Sequence, residues 1–243
     1  MAGTKADIIA QLQKDILPLQ GFKTLLNNTV VDAVPGPIKN AFPNASFPLG
    51  AIHEFMYAGA EDAAATVGFV AAVLASLMRS GGASIWISSS RLIFPPALKS
   101  FDIAPDKIIF IDLKKEKEIL WVMEEALKCD GLSAVIGEMQ ELSFTASRRL
   151  QLAVEQSRVT GFILRRHSLS LNTSACLTRW KITSLPSVLS DDIPGIGFPR
   201  WNVELLKVRN GKPGTWQVEF VAGCLGHITK IPAIPLELQK KTG

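Results

Sequence analysis

The chain has 243 residues, 47% hydrophobic and 20% charged, with a formal net charge of +4. That length fits one sizeable α/β domain with a full core, and that composition excludes wholesale disorder. The mild basicity (pI near 9.0) is compatible with nucleic acid as a partner without requiring one.

From the N-terminus, Ile8, Ile9, Leu12, Ile16 and Leu17 fall at helical spacing and predict an amphipathic helix over residues 6–17. Asp7, Lys14 and Asp15 interrupt that pattern, which argues against the apolar region of a secretory signal. Pro35, Pro37, Pro43 and Pro48 then mark an irregular connector. Residues 1–46 are therefore read as a helix plus a proline-rich connector. The helix either packs on the core or serves as a docking arm for a partner.

Ala51 to Tyr57 is strand-like, and Asp62 to Arg79 is a helix. Between and within them lies a near match to the phosphate-binding motif G-x-x-x-x-G-K-[ST]. Gly59 fits the first glycine, but Ala64 stands at the second, Ala65 at the lysine and Thr66 at the hydroxyl position. The setting suits a phosphate loop and the cation is missing. The uncharged apolar run from Ala63 to Met78 is shorter than the ~20 residues of a membrane span. A buried helix, no membrane and a cytoplasmic location are the expectation.

Strands and helices keep alternating. Ser84–Ser88 is a strand, Pro96–Phe101 a short helix, and Lys107–Asp112 a strand. Lys115–Cys129 is a helix, Leu132–Gly137 a strand, Thr145–Arg158 a helix and Gly161–Leu164 a strand. Such alternation implies a mostly parallel sheet covered by helices on both faces. Ala175–Thr183 and Trp201–Arg209 are again strand-like, and the turn Asn210–Gly214 leads into Trp216–Val221 as an antiparallel hairpin. The core domain is read as residues 47–225, with a C-terminal tail over 226–243. Cys129, Cys176 and Cys224 are too widely spaced for a zinc site or a disulfide framework, and His53, His167 and His227 make no metal signature.

Several segments together resemble RecA-like ATPases. They are Phe47 to Phe55 before the loop, Ser84-Ile-Trp-Ile-Ser-Ser-Ser, and Phe101 to Phe110 followed by a helix and Ala134-Val-Ile-Gly-Glu. The run from Trp201 to Trp216 resembles the closing hairpin of that superfamily. Ser147-Arg-Arg-Leu-Gln-Leu-Ala-Val-Glu and the Glu204-Leu-Leu-Lys run resemble the ImuA group, itself related to the SulA cell-division inhibitors.

That resemblance implies a RecA-like α/β fold in which Glu138 stands at the metal-side acid position and Ser90 where the family has its general base. A serine cannot serve as a carboxylate base, and Ala65 cannot neutralise phosphate. A unit charge about 4 Å from a phosphate is worth roughly 4 kcal/mol at an effective dielectric of 20, on the order of a thousandfold in affinity. Glu61 and Asp62 add repulsion where the phosphates would sit. The expectation is no enzyme, no cofactor and no metal.

In replicative-helicase relatives a Lys-x-Arg hairpin reaches the neighbouring subunit. Lys207 and Arg209 are thus candidate contacts to a partner, with a solvent-facing strand edge as the alternative. Arg148, Arg149, Arg165 and Arg166, near Arg158 and His167, are candidate nucleic-acid contacts. The resemblance further implies an accessory role in the DNA-damage response and error-prone translesion synthesis (SOS mutagenesis), exercised by protein–protein recruitment. The implied partners are a Y-family-like polymerase homologue and an error-prone polymerase, with RecA, weak DNA binding and homo-oligomers also compatible. The rival readings are a SulA-like inhibitor binding a tubulin-like division protein, and a weak NTP-binding ATPase.

Overall fold

A computed structural model describes residues 11–12, 33–79, 81–90, 92–166, 173–187 and 197–228. Among the described residues nine strands form one sheet: β1 (Ile52–Tyr57), β2 (Ala83–Ser88), β3 (Ile108–Asp112), β4 (Leu132–Met139), β5 (Thr160–Arg166), β6 (Thr178–Leu185), β7 (Arg200–Val208), β8 (Gly214–Val221) and β9 (Cys224–His227). Their spatial order is β3-β2-β4-β5-β1-β6-β7-β8-β9. The pairings from β3 through to β6 are parallel, and the remaining three are antiparallel. The helices are α1 (Gly36–Lys39), α2 (Ala60–Met78), α3 (Glu116–Leu127) and α4 (Phe144–Ser157).

Two apolar layers sandwich the sheet. On one face α2 buries Phe69, Val70, Val73 and Leu74 against Phe55, Phe162, Trp180 and Val203. On the other, α3 and α4 bury Ile119, Met123, Leu150 and Val154 against Ile52, Val135 and Ile163. Gly137 in β4 admits α3 closely, because a Cβ there would stand 2.7 Å from Met123 Sδ. The whole helix α2, Ala60–Met78, is long and apolar enough to cross a membrane by length and composition, but most of it is buried in the first layer. Its apolarity therefore has a structural cause, contact with a sheet rather than with lipid.

The four-stranded antiparallel extension is larger than the expected hairpin. β6 joins it to β1 in parallel and to β7 in antiparallel. β9 was unanticipated; Ala222 and Gly223, with φ of +49° and +78°, turn the chain back onto β8. This pair of left-handed residues matches the geometry that tight hairpins require. A boundary at residue 225 would cut through this strand.

The expected helix over 6–17 lies outside the described residues except at Gln11 and Leu12, which are helical and exposed. The proline connector is not a spacer where it is described. Val34, Ile38, Phe42 and Phe47 are buried in the first layer, and Ala41 O accepts from Lys212 N at 2.8 Å. The core thus includes residues from 33 onward, ahead of the expected start at 47.

Candidate functional site

Strand β1 ends at Tyr57 and α2 begins at Ala60, so only Ala58 and Gly59 separate them. Gly59 is the helix N-cap in an extended conformation, and Ala63 N donates to Gly59 O at 2.9 Å. A phosphate-binding loop instead wraps several non-helical amides around its anion before the helix starts. Here the corresponding residues are already helical. Ala64, Ala65 and Thr66 lie in the second turn of α2; Ala65 and Thr66 are buried, and the Thr66 hydroxyl has no hydrogen-bond partner among the described residues. The expectation of a loop lacking its lysine is therefore corrected. The loop itself is replaced by helix, and Thr66 is not at the helix start.

Below this junction, at the carboxyl end of the parallel strands, is a hollow of about 400 Å³ lined by Tyr57, Gly59, Ser90, Glu138, Gln140 and Arg166. Ligands of open parallel sheets bind at this end. Ser90 is exposed on the loop after β2. Glu138 is 5% exposed, and its carboxylate is engaged. Oε1 accepts from Trp86 Nε1 at 2.6 Å, and Oε2 accepts from Leu92 N at 3.0 Å. The strand-end acid thus fastens the chain after β2 to β4. Burial first, and then the Glu138 charge, hold the Tyr57 phenol above its ordinary value; Arg166 opposes this. Arg166 is exposed at the end of β5 and is the cation of the hollow among the described residues.

Arg165, one residue earlier, points into the opposite layer because strand side chains alternate. It is 1% exposed, with Nη1 3.4 Å from Glu54 Oε1. Glu54, fully buried in β1, also accepts from Arg179 Nε at 2.7 Å and from the Ser174 hydroxyl at 2.8 Å through Oε2. One carboxylate therefore joins β1, β5, β6 and the crossover into β6. Arg165 is corrected from a nucleic-acid contact to an interior ion-pair partner.

Lys207 and Arg209 extend the same cluster. Lys207 Nζ donates to Ser174 O at 2.6 Å, and Arg209 Nη2 donates to Ala175 O at 3.2 Å. Partial burial, then the Arg179 charge, lower the Lys207 pKa. Both head groups hold the chain's own crossover, so they do not project from the sheet edge as free fingers. Cys176 beside them is buried, and that burial pushes its thiol up to about 12, the Glu54 charge adding to the effect.

The remaining arginines do not converge with these. Arg148 and Arg149 are exposed on α4, and Arg149 pairs with Glu124 of α3 at 2.5 Å. His167 lies outside the described residues. Among the described residues no group of three or more His, Cys, Asp or Glu is placed to hold a metal. The sequence reading missed Glu54 and Arg179. Their signal is a charge at a core-facing position of each of two apolar strands, Glu54 in β1 and Arg179 in β6, which when buried demands a partner.

Comparisons with known proteins bear on this geometry. No family model matches the chain. It is 36% identical over 191 residues to Protein ImuA of Caulobacter vibrioides, covering 74% of this chain and 78% of that protein; the same match is found in two strains. It is 28% identical over 120 residues to the cell division inhibitor SulA of Photorhabdus laumondii, covering 48% of this chain and 68% of that protein. Among solved structures, the RadB recombinase superposes with a TM-score of 0.54 at 12% identity, over 76% of this chain and 93% of that one. That last likeness establishes a RecA-like fold.

Proposed function

The chain belongs to the ImuA family, and from that premise we propose that it is a non-catalytic accessory protein of the DNA-damage response. It would serve error-prone translesion synthesis by recruiting proteins rather than by turning over nucleotide. The observation that carries this reading is the start of α2 at Ala60, two residues after β1. Phosphoryl transfer relies almost entirely on positioning and charge stabilisation. Helix occupies the position of the cradle, Ala65 is buried where a lysine would act, and Glu138 is hydrogen-bonded to Trp86 and Leu92. The partners this reading assigns are a Y-family-like polymerase homologue and an error-prone polymerase in the cytoplasm. RecA and weak DNA binding through Arg148, Arg149 and Arg166 are further candidates.

Complementation of a deletion strain tests the reading. The wild-type chain should restore damage-induced mutation frequency, and Glu138→Gln should restore it equally, because the carboxamide oxygen still accepts from Trp86 and no metal role is lost. Failure of a folded Glu138→Gln chain would contradict a non-catalytic role.

The SulA similarity supports a second reading, inhibition of a tubulin-like division protein. Overexpression that filaments undamaged cells, with mutation frequency unchanged, would favour it over the first.

A further inference from the structure

Among the described residues a second concavity, a groove of about 610 Å³, lies against α2. Gly68 of α2 and Trp201 of β7, both buried, form its floor. They fit closely, since a Cβ on Gly68 would stand 2.8 Å from the Trp201 ring. At the rim Leu92, Phe94 and Phe198 are 39%, 69% and 52% exposed. These three are distant in sequence and converge on one groove. An exposed apolar patch built in this way marks an interaction site.

Area and charge together specify the occupant. At about 200 Å² for a fully exposed large side chain, the three rim residues offer roughly 300 Å². A stable dimer takes about 800 Å² from each partner. The groove therefore suits one short segment of a partner rather than a second copy of this chain. Of its two charged lining residues, Arg200 is neutralised by Glu219, Nε to Oε1 at 2.5 Å. Glu61, in the first turn of α2, is exposed and has no ion-pair partner among the described residues. One uncompensated carboxylate thus stands at the α2 end of an apolar groove, where a basic side chain complements it.

Backbone pairing specifies the segment's conformation. The walls are α2, the 3₁₀ turns of Pro95–Phe101 and the ends of β6 and β7. β6 and β7 are each paired on both sides. An extended peptide needs an open sheet edge for its main chain and finds none here, whereas a helix satisfies its own.

We propose that this groove docks a short amphipathic helix of a partner protein. Its large apolar side chains lie at i, i+3 or i+4, and i+7, and a Lys or Arg at one end meets Glu61. The proposal rests on the recruitment reading and deepens it by naming the partner's chemistry.

The test is selection from a phage-displayed library of short helices against the full wild-type chain, followed by fluorescence anisotropy with the labelled peptides it yields. Selected peptides should carry the apolar period and a terminal Lys or Arg. Phe94→Glu with Phe198→Glu should weaken their binding about tenfold or more, because two apolar anchors become charges. Glu61→Lys should weaken it about threefold and should favour the same peptide with Glu in place of its basic residue. All three substituted positions are exposed, and circular dichroism checks that each variant folds. An empty selection, peptides that bind the double variant as tightly as the wild type, or no response to Glu61→Lys would overturn the proposal. Failure here with complementation intact would remove the groove's role alone, whereas failure of the wild-type chain to complement would remove the recruitment reading.

Discussion

Two polar regions lie within one strand length of each other on β1 and do opposite things. The hollow at the end of β1 holds the residues whose identities suggest catalysis: Gly59, Ser90, Glu138 and Arg166. The interior beside the middle of β1 holds Glu54, Arg165 and Arg179, which no catalytic motif marks. The first region resembles a site and is built as a joint, with Glu138 fastening Trp86 and Leu92. The second resembles scattered strand charges and forms a buried network tying three strands to the crossover into β6. Residue identity at a motif position is thus a weaker guide than the hydrogen bonds its atoms already make.

The largest effect should come from the interior. Glu54→Leu leaves Arg165 and Arg179 buried without a counter-charge and should cost about 3–5 kcal/mol of stability. Chemical denaturation would read this as a lower midpoint at unchanged slope, and a loss under 1 kcal/mol would break the contrast. His53, also on β1, comes next. Nε2–H donates to Pro48 O at 2.8 Å, Nδ1 accepts from the Thr178 hydroxyl at 2.7 Å, and the ring stacks on Phe47. Burial lowers its pKa from 6.5 to about 4. The folded state therefore binds the proton less well than the unfolded chain. This contribution is fully present above pH 6.5 and is lost as pH falls through about 4, roughly 3 kcal/mol in all. Denaturation midpoints across pH 4–7 should fall on the acid side, and His53→Gln should flatten that slope.

At the hollow the effects should be smaller and structural. Glu138→Ala strands the Trp86 indole and the Leu92 amide and should cost about 2 kcal/mol, measured by thermal unfolding. Arg149→Ala, which removes the exposed partner of a half-buried Glu124, should change stability by no more than about 1 kcal/mol. A larger loss there would show that α3 and α4 depend on their surface charge.

Much of the fold was legible because period and order carry it. Leu132–Gly137 was legible as a strand, and the strand–helix alternation required the parallel pairing that β4 makes with β5. The site was less legible for a physical reason. Gly59 to Thr66 can be aligned to a phosphate loop at any helix start, and the alignment does not say that Ala60 is already helical. Arg165 and Arg166 are adjacent in sequence and lie on opposite faces of β5. Only the strand register Glu54↔Ile163 and Phe55↔Leu164 fixes which of the two turns inward toward Glu54. The groove was illegible altogether, since Ala64, Leu92 and Phe198 meet only in the folded chain.

The central claim is that helix fills the place of the nucleotide cradle. Calorimetric titration of the full chain with Mg-ATP tests it most directly, together with Ala65→Lys. The account predicts dissociation constants in the millimolar range or weaker for the wild-type chain, with no gain from a lysine placed in a buried helical turn. Binding tighter than about 100 μM, or a lysine that restores it, would contradict the account.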